Sequence, residues 1–235
     1  MTRLHEGVAD RDAGGCVAAV DDRVRAAVNR AVAKGDGGLV RLVARAVAAS
    51  VGSFARGSRS GDCALVATLE PGAYMAPVTA TDSGTGVALV EVDELEGGPG
   101  ARLKDLSTRA RVLAGAGVVI PGLVVTAANA RTLLVRAVGP GLGAFGVGGT
   151  LARPALTVTA GGAVVAANSG WESSADPAGL AAAAAAARAG AFAVQTGRAD
   201  AALMVTLPAG AWTIQVSGAD GGAGLVLVEV YEVGS

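Results

Sequence analysis

The sequence predicts an all-β protein: tandem jelly-roll-like antiparallel β-sandwiches, each carrying one short Ala-rich helix. Three observations lead there. The first is composition. Hydrophobic residues make up 51% of the 235 residues but aromatics only 3%, while 36 residues are glycine. The apolar mass is therefore Ala, Val and Leu, which suits a core of small side chains broken by many tight turns. The second is period-2 patterning over short runs bounded by turn residues. The third is an internal repeat.

The repeat appears when the chain is slid by 138 positions, which lays Asp62–Gly97 on Asp200–Ser235 without a gap. Asp62 meets Asp200, Leu65 meets Leu203, Gly72 meets Gly210, Asp82 meets Asp220, and Leu89-Val90-Glu91-Val92 meets Leu227-Val228-Glu229-Val230. Tyr74 meets Trp212, and further back Phe54 meets Phe192. Earlier still the match continues with a one-residue shift, Val17–Asn29 lying on Leu156–Asn168. Met1 then corresponds to a point near Pro140, so the stretch from Ala101 to Pro140 has no counterpart in the first copy. The expected domains are 1–98, a β-sandwich repeat incomplete at its N-terminus, and 99–235, a complete one.

Within the complete copy the expected strands are Arg102–Thr108, Val118–Thr126, Arg131–Val138, Ala155–Thr159, Ala163–Ala167, Ala201–Leu207, Ala211–Ser217 and Leu225–Glu232. Turns such as Ala160-Gly161-Gly162 and Asp220-Gly221-Gly222 separate them. Strands this short and this closely spaced argue for a sandwich or jelly roll. Asp176-Pro177 opens an alanine run to Ala187 that reads as a helix, with a cap at its start and Gly190 at its end. Leu39–Ser50 is its counterpart in the first copy. Asp21–Lys34 also has helical spacing, in conflict with the strand the repeat implies there.

The strings RLKDLSTRARVLAGAGVVIPGLVV, RTLLVRAVGPGLGAFGV, AANSGW and DAALMVTLPAGAWTIQVSGADGGAGLVLVEVYEV, in that order, resemble a repeated β-sandwich module of large bacterial cell-surface or secreted proteins. The strand–turn–strand end is similar to pre-peptidase C-terminal domains. The resemblance covers Ala101–Ser235 and the later half of the first copy. It implies an extracellular or cell-surface, non-catalytic module, and it brings no catalytic residues with it. The polar N-terminus MTRLHEGVADRD has no apolar stretch of the kind a signal peptide needs.

No constellation for chemistry emerges from the residue types. Net charge is −1 with 17% charged residues, so the basic excess that phosphate binding requires is missing and nucleic acid is not an expected partner. The longest apolar run, Val112–Val125, is interrupted by Pro121 and too short to span a bilayer. His5 is the only histidine, and one His with two distant Cys supplies neither a zinc set nor a nucleophile–base pair. Asp10-Arg11-Asp12 lacks the further acidic ligands of a calcium loop. Gly141-Leu142-Gly143-Ala144-Phe145-Gly146 matches a dinucleotide fingerprint, but no helix-forming stretch follows it and no acidic residue lies some twenty positions on. No catalytic residue, cofactor or metal is expected.

The remaining candidates are weaker. Trp171 and Trp212 are candidate ligand-stacking aromatics, with a core role as the alternative. Cys16 and Cys63 are a candidate disulfide, with buried free thiols as the alternative. Asp82 and Asp220 read as turn-forming residues that cap their own backbone. Glu91 and Glu229 read as members of a solvated strand face, with a paired surface as the alternative.

The function expected from this is a non-catalytic extracellular structural or adhesive module, able to self-assemble by strand complementation with copies or neighbouring β modules. The alternative is a carbohydrate- or surface-binding accessory module of a secreted protein, with a glycan as ligand.

Overall fold

The computed structural model describes residues 2–6, 16–18, 69, 71–76, 78–80, 86–94, 103–115, 117–126, 129–172, 182 and 191–233. The chain divides into two compact units. One comprises Met1–Gly7, Val90–Glu94 and Arg102–Ser235; the other comprises Val8–Leu89 and Leu95–Ala101.

The larger unit is built from antiparallel strands. β1 is Thr2–Glu6, β4 Glu91–Val92, β5 Asp105–Val112, β6 Pro121–Val125, β7 Arg131–Val138, β8 Pro154–Ala160, β9 Ala163–Asn168, β10 Ala201–Leu207, β11 Gly210–Gly218 and β12 Gly224–Glu232. From β5 onward the chain alternates between two sheets, except for the β8–β9 hairpin. One sheet runs β4-β1-β6-β11-β8-β9, the other β10-β7-β12-β5. The hairpin turns at Gly161-Gly162, both at positive φ (54° and 85°), a conformation that glycine enters without steric cost.

Alternation puts one face of each sheet into a shared core, giving a β-sandwich-like body. Leu123 and Val125 of β6, Leu156 and Val158 of β8, and Ile214 and Val216 of β11 meet Val135 of β7, Leu203 of β10 and Val226, Val228 and Val230 of β12. The core holds aliphatic residues almost exclusively, as the composition required. A second apolar cluster lies on the other face of the four-stranded sheet, where Leu134, Ala202 and Tyr231 meet Trp171 and Ala182, with Ala191 and Val194 packed against them. That sheet is consequently covered on its outer face around β7, β10 and the end of β12, while the outward positions of β5 are exposed. Ala182 is the one described residue of the expected alanine helix; it is helical and buried.

The strands fall close to where patterning put them. Arg131–Val138 and Ala201–Leu207 agree to the residue. β5 begins three residues later than expected and runs on to Val112, because its ladder with β12 continues to the pair Gly224/Val112. β6 is shorter than expected. Pro121 has no N–H to donate, and Val119 instead exchanges both backbone hydrogen bonds with Val216, at 3.0 and 2.8 Å.

In the smaller unit, β2 (Cys16–Ala18) pairs with β3 (Val78–Ala80), with Cys16 opposite Ala80, Val17 opposite Thr79 and Ala18 opposite Val78. In the larger unit β8 pairs with β11 with Pro154 opposite Gly218, Ala155 opposite Ser217 and Leu156 opposite Val216. Adding 138 to each number of the first set gives the second. Over Cys16–Ala18 the two registers thus correspond at an offset of 138, and residues 19–29 of the stretch for which a one-residue shift was expected lie outside the described residues.

Cys63, Asp82, Asp10 and Asp12, the stretches Asp21–Lys34 and Leu39–Ser50, and the expected helix apart from Ala182 lie outside the described residues.

Candidate functional site

The strongest concentration of polar chemistry lies between β7 and β12. Their register sets Arg136 opposite Glu229. Both are buried, Arg136 at 0% exposure and Glu229 at 4%. Arg136 Nε donates to Glu229 Oε2 at 2.9 Å, and Nη2 donates to the same oxygen. The Tyr231 hydroxyl donates to Glu229 Oε1 at 2.6 Å. Nη1 of Arg136 donates to the Phe192 carbonyl. The guanidinium also lies over the Phe192 ring, 4.4 Å from its centre, and 5.7 Å from the centre of the Tyr231 ring. Burial, and the hydrogen bond and charge of Glu229, raise the Tyr231 phenol well above its usual value.

This corrects the expectation for Glu229. Alternation does place it opposite in face to Val228, but that face meets protein rather than water. Chain around Trp171 and Ala191–Gln195 packs over it, and a carboxylate covered in that way requires a cation.

A second buried acid sits beside this cluster. Asp200, immediately before β10, is fully buried. Its carboxylate accepts from Gly139 N at 2.7 Å and from Gly141 N at 3.1 Å, fixing the entry to a 3-10 helix, Pro140–Phe145. Desolvation raises the carboxyl above its usual value, while the two amides and Arg136 pull the other way. The glycine fingerprint thus falls in a two-turn 3-10 helix and its C-cap, with the Gly141 N–H spent on Asp200. Gly146, at φ 74°, ends it.

Phe192 carries the cluster outward. Its ring meets Phe145 edge-on, centroids 5.0 Å apart at 67°, and Phe145 is 61% exposed. Neither phenylalanine was a candidate from sequence, where Phe145 was read only as part of the glycine loop and Phe192 only as the partner of Phe54 in the repeat.

The two tryptophans are placed differently from a flat stacking platform. Trp171 is 9% exposed within the second cluster, its indole N–H directed to the Gln195 carbonyl at 3.4 Å. Its ring offers solvent no open face. Trp212 is half-buried, packs against the main core and donates to the Pro208 carbonyl at 3.1 Å. Asp220 accepts from Gly222 N at 3.0 Å, an Asx turn.

Chemically, the Glu229 carboxylate is held by Arg136 and the Tyr231 hydroxyl within one sheet, and Arg136 Nη1 ties that sheet to the Phe192 carbonyl above it. Among the described residues no three His, Cys, Asp or Glu side chains converge as metal ligands. An opening between the sheets, lined by Leu106, Leu123, Leu133 and Val230, encloses 20 Å³, room for about one water. No described helix is long and apolar enough to cross a membrane.

The other feature with functional content is the seating of β1 in the six-stranded sheet. β1 pairs antiparallel with β6 from Thr2/Val125 to Glu6/Pro121, one residue to one residue. On its far side it pairs with β4, Leu4 opposite Val92 and His5 opposite Glu91. A strand from the start of the chain thus belongs to the six-stranded sheet of the larger unit.

Comparison of the chain with protein-family models, with curated proteins and with solved structures finds no match.

Proposed function

We propose that this chain is a non-catalytic structural or adhesive module that joins neighbouring β modules, or copies of itself, through its sheet edges. The observation that carries this reading is the seating of β1 on β6. Strand addition of this kind recognises backbone rather than side chains, so it suits a scaffold built from similar units. Two further points support it. The buried Arg136, Glu229 and Tyr231 side chains hydrogen-bond to one another. The near-zero net charge provides little long-range repulsion against association. The resemblance to repeated modules of bacterial surface proteins fits the same reading and adds an extracellular setting, with two jelly-roll-like repeats as the architecture.

The test is size-exclusion chromatography with light scattering across a wide concentration range. Concentration-dependent oligomers are expected. A clean monomer throughout would overturn the self-assembling form of the proposal.

A further inference from the structure

We infer that β1 is an exchangeable strand: Thr2–Glu6 seats on β6 of a second copy as it does on its own, so that two copies trade this strand reciprocally. The inference rests on the reading above and names the edge and the partner.

The acceptor comes first. β6, Pro-Gly-Leu-Val-Val, carries no charge, and β11 occupies its other side. Without β1 it would be an uncharged edge with unpaired backbone groups, the kind of edge that proteins cover or blunt. The covering strand therefore has to come from somewhere, and backbone pairing does not distinguish one chain from an identical one.

The donor is suited to trade. No local hairpin holds β1 in place, because its partners are Glu91–Val92 and Pro121–Val125, both remote in sequence. The boundary between the two compact units falls directly after it, between Gly7 and Val8. The segment 7–15 that leads from β1 to β2 contains Gly7, Gly14 and Gly15 and no proline. An element paired within one unit and followed directly by chain of the other is an arrangement from which reciprocal swapping arises.

The experiment uses register partners. In a chain with Cys16 and Cys63 replaced by serine, Thr2→Cys and Val125→Cys stand opposite one another. Placed on separate chains that are mixed, unfolded and refolded together, they should form an interchain disulfide under mild oxidation. Leu4→Pro, which removes a ladder donor, should abolish both that crosslink and the dimer seen by light scattering. Leu4→Ala, which keeps the backbone donor, should preserve both. Oligomers that persist in Leu4→Pro without any interchain crosslink would overturn strand exchange while leaving self-assembly standing. If a third variant that carries both cysteines on one chain crosslinks internally while the mixed single variants form no interchain disulfide, exchange would be overturned and the β1–β6 pairing left in place.

Discussion

Replacing Glu229 with leucine should destabilise the larger unit by about 3–5 kcal/mol, the usual cost of removing one partner of a buried ion pair. The structure says why the cost belongs at that level. Loss of the carboxylate strands Arg136 Nε and Nη2 at a site with no solvent exposure, and takes the acceptor from the Tyr231 hydroxyl as well. Arg136→Met leaves the mirror-image defect, a buried carboxylate with only Tyr231 to satisfy it. The double substitution Arg136→Met/Glu229→Leu removes both charges together. It should lie within about 2 kcal/mol of the parent, because well-packed apolar replacements of buried pairs are often neutral or better. Urea unfolding followed by tryptophan fluorescence measures this cleanly, since both tryptophans of the chain, Trp171 and Trp212, lie in the larger unit. With an m-value of about 2 kcal/mol per molar, a loss of about 4 kcal/mol lowers the midpoint by about 2 M. The reasoning fails if Glu229→Leu costs under about 1 kcal/mol, or if the two single effects simply add in the double variant.

Two further outcomes follow from neighbouring features. Asp200 has its folded pKa raised above 3.8, so the folded state holds its proton more tightly than the unfolded chain. Its contribution is fully present below 3.8 and is lost as pH rises through the folded pKa; the stability of the parent relative to Asp200→Asn should therefore be greatest near pH 3 and decline upward, as thermal melts at stepped pH would reveal. At Gly224 a Cβ would run into the backbone of Thr150 and Leu151, where Leu151 N and Leu225 N each donate across at 2.8 Å. Gly224→Ala should cost about 1–3 kcal/mol and accelerate amide exchange at Leu151 and Leu225, and unchanged exchange there would contradict the close approach.

The strands of 99–235 were legible because Val, Leu, Ile or Ala recur along each of them and turn residues such as Gly, Asn, Asp and Pro separate most of them. Periodicity identifies the face of a residue, but not what covers that face. Glu229 illustrates the limit. Its alternation is plain in Leu-Val-Leu-Val-Glu-Val-Tyr, yet the burial of that side depends on Trp171, Ala182, Ala191 and Val194, about 35 to 58 residues away along the chain. A signal was present: the only charges of β7 are Arg131 and Arg136 and the only charges of β12 are Glu229 and Glu232, opposite in sign on two otherwise largely apolar strands. The seating of β1 left no such trace, since backbone pairing requires no particular side chain. The same holds for the Asp200–Gly139–Gly141 tie, in which the partners of the acid are amide groups.

β12 lies between β5 and β7, and it is the last strand of its module to be synthesised. On a nascent chain β5 therefore has no neighbour in its sheet until nearly the whole module has emerged. The Arg136 side chain waits equally long for Glu229, 93 positions further on. Folding of this module is accordingly governed by closure of long loops and should be slow and late. Truncation even a few residues into β12 would remove the middle of a sheet rather than trim its rim.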